Sequence, residues 1–323
     1  MIIHPEEFTD DHLAVFRQAG LNVLGIHPVG GHNAHETLEH AVVRHAMPAW
    51  RASLERAASM GIAVEYEAHA LRWLMPASLF EQMPDWFRMS EDGVRDPDYH
   101  MCVSNAEALA FLENRAEMLA RLLWTGAHRW FLWPDDVTGK RCCCAGCQSL
   151  SASDQALLIT NAIQRGVVRF DPEGRVCYLA YQDTLEVPER VQPERTVFLE
   201  FAPIWRDHHR PLNDSACAQN QREIRHLERL LSFFGTEGSQ ALNYWMDNSL
   251  FSDWRKPPQP FELDVDVMQQ DVAFYRALGF ENVTSFGCYL GSDYVRLYGK
   301  PPIQAYGDLL REASPEIWPG LVA

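Results

Sequence analysis

The segment RWFLWPDD at residues 129–136 and the segment SDQALLITNAIQRGVVRF at residues 153–170 together decide the fold class. The first is a short apolar and aromatic run, which predicts a buried β-strand. The second has apolar residues at helical intervals and begins at Ser153, a residue type that often caps helices. A strand followed by an amphipathic helix is the repeating unit of parallel sheets.

The same strand-then-helix unit recurs along the whole chain. We predict eight strands, at residues 1–5, 22–28, 62–70, 129–136, 175–184, 196–204, 240–248 and 282–291. We predict helices at residues 6–20, 34–60, 105–123, 153–170, 220–235, 264–279 and 304–312. The connection between the fifth and sixth strands carries little helical signal.

Eight strands in a chain of 323 residues favour an α/β fold with a single domain, the (β/α)8 TIM barrel. The predicted barrel covers residues 1–313, and residues 314–323 form a C-terminal tail. The alternative is an open doubly wound sheet. No glycine-rich phosphate loop follows any predicted strand, so the sequence gives no support to a nucleotide-binding version of that sheet.

The composition limits the partners that we expect. The net charge is -16, which disfavours nucleic acid and anionic membranes because both attract basic surfaces. No segment has the roughly 18 consecutive apolar residues of a membrane-spanning helix, and the N-terminus lacks the basic region of a signal peptide. If Met1 is the natural start, we expect a cytoplasmic protein with reduced cysteines.

Polar side chains at the predicted strand ends point to carbohydrate chemistry. In a TIM barrel the active site lies at the C-terminal ends of the strands, where carboxylates can act on glycosidic bonds and aromatic rings can stack on sugars. Each such residue taken alone is more often a helix cap or a core residue. The catalytic candidates are Asp135, Asp136, Glu200 and Asp247. The substrate-binding candidates are His27, Glu67, His69, Asn105, Tyr181, Tyr244 and Trp245.

Two resemblances support this interpretation. The segment FLWPDD at residues 131–136 resembles the paired-aspartate signature of the O-GlcNAcase and hexosaminidase group of glycoside hydrolases. Residues 62–202 are similar to a bacterial family of glycoside-hydrolase-like proteins of unknown function. The motifs that carry this second resemblance are EAHALRWLMPASLFEQMPDWFR, MCVSN, WPDDVTGKRCCCAGC, SDQALLITNAI and YLAYQDT.

The first resemblance implies that Asp136 is a general acid and that Asp135 polarises the 2-acetamido group of a substrate. Here Pro134 precedes the pair and cysteines follow it, which leaves this substrate-assisted mechanism open. A retaining mechanism would pair the acid with Glu200 or Asp247 at about 5 Å. An inverting mechanism requires about 6.5–9.5 Å and adds Glu67 to the choices.

We therefore expect a glycosidase acting on an acetamido sugar or a uronic acid, with no cofactor for catalysis. One alternative is a carbohydrate-binding barrel without activity. Another is a metal-dependent hydrolase that uses His27 and His69, although the sequence lacks the usual H-x-H of such barrels. Relatives of this kind often carry additional β domains that contribute substrate contacts. The elements predicted here include no such domain, so one expectation is that a homo-oligomer completes the pocket.

The cysteines after the fourth strand form a separate motif. Cys142, Cys144 and Cys147 make a C-x-C-x-x-C pattern, whose spacing can bring thiolates to one tetrahedral ion. A structural zinc site needs a fourth ligand, for which Cys143, Cys102 or a histidine is available. Reduced free thiols, or a disulfide in an exported protein, are the alternatives.

Overall fold

Eight parallel β-strands pair in sequence order in the computed structural model, which describes residues 1–312. A bridge between Ile2 and Phe286 joins the end of the eighth strand to the first and closes the ring. The predicted TIM barrel is therefore confirmed. The strands are β1 (Ile2–Ile3), β2 (Val23–Ile26), β3 (Ala63–His69), β4 (Arg129–Trp133), β5 (Arg175–Tyr181), β6 (Val197–Ala202), β7 (Gln240–Asn243) and β8 (Asn282–Ser285).

Helices surround the strands. They are α1 (Asp10–Gln18), α2 (Ala34–His45), α3 (Pro48–Ser59), α4 (Leu71–Leu74), α5 (Ala106–Leu122), α6 (Ala152–Phe170), α7 (Ala218–Ile224), α8 (Leu227–Phe234), α9 (Asn248–Phe251), α10 (Val265–Ala277), α11 (Ser292–Tyr298) and α12 (Ile303–Glu312). As the sequence predicted, β5 and β6 have no α-helix between them, only the 3-10 turn Gln182–Thr184.

The alternation of side chains along each strand produces two cores. On β6, Phe198 and Ala202 point into the barrel, where they pack with Phe131 and Leu242. Leu199, next to Phe198, belongs to the larger core between the strands and the helices. Successive strand residues face opposite sides of the sheet, so one short strand contributes to both cores.

The predicted helices differ from the structure at several points, and the single helix predicted at residues 220–235 is the two helices α7 and α8. The single helix predicted at residues 34–60 is two helices, and Pro48 opens the second because a proline ring fits the first helical turn but not the interior. Helix α6 is capped by Ser151 rather than Ser153, since the Ser151 hydroxyl accepts a hydrogen bond from the Asp154 amide at 3.0 Å. Helix α11 was not predicted.

The predicted tail at residues 314–323 lies outside the described residues. Within residues 1–312, no helix combines the length and the apolar character that crossing a membrane requires.

Candidate active site

A cavity of about 450 Å³ opens at the C-terminal mouth of the barrel, a volume in the usual range for small-ligand sites. Side chains at the C-terminal end of each of the eight strands, or in the loop that follows it, reach the cavity. Its lining includes His4, His27, His69, Trp133, Asp136, Tyr181, Gln182, Trp205, Tyr244, Asp247, Ser249, Trp254, Phe286 and Tyr289.

Three histidines from consecutive strands form one wall of the cavity. The Nδ1 atoms of His4, His27 and His69 lie 2.9, 2.7 and 2.7 Å from the backbone carbonyls of His27, Glu67 and Pro134. A carbonyl can only accept, so each Nδ1 donates and each Nε2 is left with a lone pair when the ring is neutral. The wall therefore offers acceptors suited to the hydroxyl groups of a ligand.

The lining of the cavity carries little positive charge, and the cation beside it is Lys256, whose Nζ lies 4.3 Å from the centre of the Tyr289 ring. Burial lowers the pKa of His4, and burial together with the charges of His4 and His69 lowers the pKa of His27 well below its usual value. His4 and His27 are therefore neutral near pH 7. No lysine or arginine of residues 1–312 lines the cavity.

Asp136 faces this cavity from the loop after β4. Its Oδ1 accepts a hydrogen bond of 3.1 Å from the Tyr181 hydroxyl. A methyl group on Gly30 would lie 3.1 Å from Asp136 Oδ2 and 2.9 Å from Cδ2 of His69, so glycine leaves the room that these two side chains occupy. Asp136 is half-buried, and its carboxylate is accessible from the cavity.

Asp247 faces the same cavity from the end of β7. Its Oδ1 caps α9 by accepting bonds from the amide and hydroxyl of Ser249, at 3.1 and 2.5 Å, and from the amide of Leu250 at 3.4 Å. Within residues 1–312, Oδ2 accepts no hydrogen bond. Burial raises the pKa of Asp247 to about 6, so this side chain is protonated in a fraction of the molecules near neutral pH.

The two aspartates influence the same two tyrosines electrostatically. β4 and β7 are three strands apart in a ring of eight, so their ends lie nearly across the mouth from each other. Burial and the charge of Asp136 raise the pKa of Tyr181, and Asp247 adds to the rise. Burial, Tyr181 and both aspartates raise the pKa of Tyr244. The two tyrosines thus lie within the electrostatic reach of both carboxylates.

Asp135 turns away from the large cavity, although it adjoins Asp136 in sequence. Its Oδ1 accepts a bond from the Arg72 amide at 3.1 Å, and its Oδ2 accepts one from the His100 amide at 2.6 Å. It lines a smaller neighbouring cavity of about 40 Å³. The predicted contact of Asp135 with a substrate does not fit this position, because Asp135 does not line the large cavity and its carboxylate holds the backbone of the β3–α5 connection.

Glu67 and Glu200 lie inside the barrel and do not line the cavity. Glu200 accepts bonds from Trp133 Nε1 at 2.7 Å and from Gln240 Nε2 at 2.8 Å, and Gln240 also lies 3.5 Å from Glu67. Burial raises the pKa of Glu200 to about 7. Burial and the charges of Glu200 and Glu65 raise that of Glu67 well above its usual value. Their predicted roles as a catalytic base or a substrate contact do not fit these enclosed positions.

Two further predicted substrate contacts lie elsewhere. Asn105 caps α5 by accepting bonds from the amides of Glu107 and Ala108, both at 3.0 Å. The indole of Trp245 donates to Asp271 at 2.8 Å within the outer core. Trp245 follows β7 and Asn105 precedes α5, and neither side chain lines the cavity.

Aromatic rings form the floor and the rim of the cavity. Tyr244 and Phe286 stack at 5.6 Å on the floor, beside Trp133. Trp205 and Trp254 stand at the rim and are 54% and 58% exposed, which leaves their faces free for a ligand.

Four residues that were not among the predicted site residues also line the cavity: His4, Gln182, Ser249 and Trp254. His4 directly follows β1 in the same way that His27 directly follows β2. This shared position could have identified His4 as a residue of the cavity. Trp254 lies in a loop after α9, where no periodic pattern identified it.

The imidazoles do not form a metal site with the aspartates. Among residues 1–312, the only group of three or more His, Cys, Asp or Glu whose ligand atoms lie within 4.8 Å of one another is Cys102, Cys142, Cys144 and Cys147. The geometry therefore gives no support to a metal-dependent hydrolase built on His27 and His69.

A family model covers much of this site. The model described as "Domain of unknown function (DUF4838)" matches residues 33–235. The matched range contains Asp136 and the four clustered cysteines, whereas Asp247 lies beyond it. No curated protein matches the sequence at a significant level.

Solved structures of similar fold are glycoside hydrolases at low sequence identity. A glycoside hydrolase family 5 enzyme from Prevotella bryantii, in complex with a xyloglucan tetradecasaccharide, is 12% identical with a TM-score of 0.53, over 95% of this chain and 86% of that one. A xyloglucan-specific endo-β-1,4-glucanase from a metagenomic library is 11% identical with a TM-score of 0.50, over 94% and 88%. A β-galactosidase from Rahnella sp. R3 is 12% identical with a TM-score of 0.51, over 96% and 54%.

Proposed function

The chain belongs to the DUF4838 family and has a TIM barrel, and on that premise we propose that it is a glycoside hydrolase. The observation that carries the proposal is that Asp136 and Asp247 line one cavity with aromatic rings. Glycosidases use two carboxyl groups that flank the scissile bond. The solved structures of similar fold are glycoside hydrolases, which supports this assignment.

The two environments suggest separate roles for the aspartates. Asp247, whose pKa burial raises to about 6, is the group that holds a proton for the leaving oxygen. Asp136 is half-buried, faces the cavity and accepts a bond from the Tyr181 hydroxyl, a position that suits a nucleophile or base. This assignment reverses the role that the O-GlcNAcase resemblance implies for Asp136.

The substrate that fits best is an uncharged sugar. A uronate would bring a further negative charge beside Asp136 into a cavity that is lined by neutral His4 and His27 and, within residues 1–312, by no lysine or arginine. Such an uncompensated charge is costly to bury. Of the two classes that the sequence suggested, an acetamido sugar is therefore favoured over a uronic acid.

The acetamido group of such a substrate would not be polarised by Asp135. Asp135 lines the smaller cavity and not the large one, and its oxygens accept bonds from the amides of Arg72 and His100, so its position does not favour polarisation of a substrate in the large cavity. We therefore favour direct use of the two carboxyl groups in the cavity over substrate assistance.

The test is hydrolysis of aryl glycosides covering β-N-acetylhexosaminides, neutral β-hexosides and α- and β-glucuronides. We expect turnover of an uncharged member, and a loss of about 10³-fold or more in kcat/KM for Asp136→Asn. The matched control is Asp266→Asn, the same chemical change on the exposed start of α10.

Two outcomes would contradict the proposal. Hydrolysis that Asp136→Asn leaves unchanged would place the chemistry elsewhere. Binding of sugars by the wild type without turnover of any glycoside would instead indicate a carbohydrate-binding barrel.

A further inference from the structure

Four cysteine sulfurs from two loops meet at one buried point beside the mouth of the barrel. Cys102 comes from the long connection between β3 and α5, and Cys142, Cys144 and Cys147 come from the loop between β4 and α6. All four side chains are buried, and their sulfurs lie within 4.8 Å of one another. The cluster is outside the sugar cavity.

The sulfur-to-sulfur distances distinguish metal binding from disulfide bonding. Cys102 Sγ lies 3.6 Å from Cys144 Sγ and 3.9 Å from Cys147 Sγ. A disulfide bond is about 2.05 Å long. Tetrahedral coordination with zinc–sulfur bonds of about 2.3 Å places the sulfurs roughly 3.8 Å apart. The observed distances therefore match the edges of a zinc tetrahedron.

We propose that Cys102, Cys142, Cys144 and Cys147 bind one structural zinc ion. A set of four thiolates with tetrahedral spacing is typical of zinc and of mononuclear iron. Four protein ligands close the coordination sphere, so the ion has no open position for a substrate or a water. The role of this site is to hold the two loops together.

The surroundings of the sulfurs are built for such a site. The Met89 amide donates to Cys142 Sγ at 3.3 Å, and Ser104 Oγ lies 3.2 Å from Cys102 Sγ and 3.5 Å from Cys144 Sγ. Hydrogen-bond donors of this kind stabilise and orient metal-bound thiolates.

Gln155 at the start of α6 holds the backbone of the cysteine loop. Its Oε1 accepts a bond from the Cys142 amide at 2.9 Å, and its Nε2 donates to the carbonyls of Cys142 at 2.9 Å and Cys147 at 3.3 Å. The loop is thus fixed from the helix side while Cys102 meets it from the other side.

The ion would also position the proposed catalytic loop. The two loops that it joins are tied a second time by Asp135, which follows β4 and accepts a bond from the amide of His100, two residues before Cys102. Asp136 is the next residue. Loss of the metal should therefore displace Asp136, a consequence that rests on the proposed function, whereas metal binding itself does not.

Cys143 provides an internal control. It lies between two proposed ligands in sequence, but its thiol points to the Arg141 carbonyl at 3.7 Å and is not part of the cluster. Cys143→Ser should therefore leave metal binding intact.

The test is the metal content of the full chain, purified without chelators and measured by inductively coupled plasma mass spectrometry. We expect about one zinc ion per chain in the wild type and in Cys143→Ser, and a loss of most of the zinc in Cys102→Ser and Cys144→Ser. An organomercurial that displaces thiolate-bound metal should release the zinc of the wild type to a colorimetric dye. This release needs no variant to fold.

Several results would overturn the proposal. Wild-type chain that lacks metal after refolding with added Zn²⁺, a disulfide between any two of these cysteines, or a red iron-loaded chain would each refute the zinc site. Equal zinc loss in Cys143→Ser and Cys102→Ser would refute the assignment of ligands. None of these results depends on turnover, so they are independent of the glycosidase proposal.

Discussion

The mouth and the interior of the barrel both hold buried acidic side chains, but the two regions use them differently. In the interior, Glu65 and Glu200 are occupied by protein groups: Arg129 lies 3.3 Å from both oxygens of Glu65, and Gln240 and Trp133 bind Glu200. At the mouth, Asp136 and Asp247 border an open cavity. Interior carboxyl groups thus stabilise the barrel, whereas those at the mouth are available to a ligand.

Depth along the strand produces this difference. Ala202 at the end of β6 lines the cavity, and Glu200 two residues earlier does not. Two residues correspond to roughly 6.6 Å of strand, which is enough to move a side chain from the mouth into the layer below. Glu67 relates to His69 on β3 in the same way.

The largest effect on stability is expected from Arg129→Met, which tests the interior region. Arg129 also donates to Gln240 at 3.0 Å, and its charge acts on Glu65, Glu67 and Glu200. The N-terminal amine of Met1 also acts on Glu65 and Glu67, but burial lowers its pKa to about 6, so it is mostly neutral at pH 8. The removal of Arg129 should lower the free energy of unfolding by about 3–5 kcal/mol at pH 8. The loss should be smaller at pH 5, because burial raises the pKa of Glu200 to about 7 and this carboxyl group is therefore mostly neutral there.

Urea denaturation at both pH values measures this effect. The control is Arg296→Met, an exposed position on α11 where we expect little change. Equal destabilisation at pH 5 and pH 8 would contradict the proposed compensation of charge in the interior.

The next effect is expected at the mouth, from Asp247→Asn. Asparagine keeps the Oδ1 that caps α9 but cannot donate the proton, so kcat should fall by about 10²–10³-fold, or ~3–4 kcal/mol. A general acid with a pKa of about 6 must be protonated to act, so wild-type activity should fall as the pH rises above about 6. This fall should be absent from the residual activity of the variant.

The pH dependence of kcat for both proteins gives the result. A variant that keeps the decline above pH 6 would show that another group supplies the proton. A variant as active as the wild type would remove Asp247 from the chemistry.

The smallest effect is expected at the rim, from Trp205→Ala. Stacking of an aromatic ring on a sugar contributes about 1 kcal/mol, so KM should rise roughly fivefold with little change in kcat. Steady-state kinetics of Trp205→Ala measure this rise in KM. The control is Val265→Ala, which changes an exposed apolar residue on α10. An unchanged KM would show that the sugar does not reach this part of the rim.

The fold could be predicted from the sequence because each unit has a local signal. The apolar run of β4 and the helical spacing of α6 identify a strand and a helix without reference to the rest of the chain. The boundaries were less certain where the deciding interaction is a single residue, as with Pro48 at the start of α3 and the Ser151 cap of α6.

The site was only partly predictable, because the depth and direction of a side chain depend on tertiary contacts. Asp135 and Asp136 are chemically identical neighbours, and the amides of Arg72 and His100 determine which of them turns from the cavity. Those amides come from a connection whose path has no repeating pattern in the sequence. Glu200 and Asp247 received the same predicted role for a similar reason. The alternating pattern of a strand determines which face of the sheet Glu200 lies on, but not how deep in the barrel it lies.

The central claim is that Asp136 and Asp247 act together on one bond, and a double-variant comparison tests it most directly. The measurement is kcat/KM of Asp136→Asn, of Asp247→Asn and of the variant carrying both, on the aryl glycoside that the wild type hydrolyses best. Groups that act as a unit are strongly non-additive, so the double variant should lose little more than the worse single variant. A loss equal to the product of the two single losses would show that the aspartates act independently and would contradict the account.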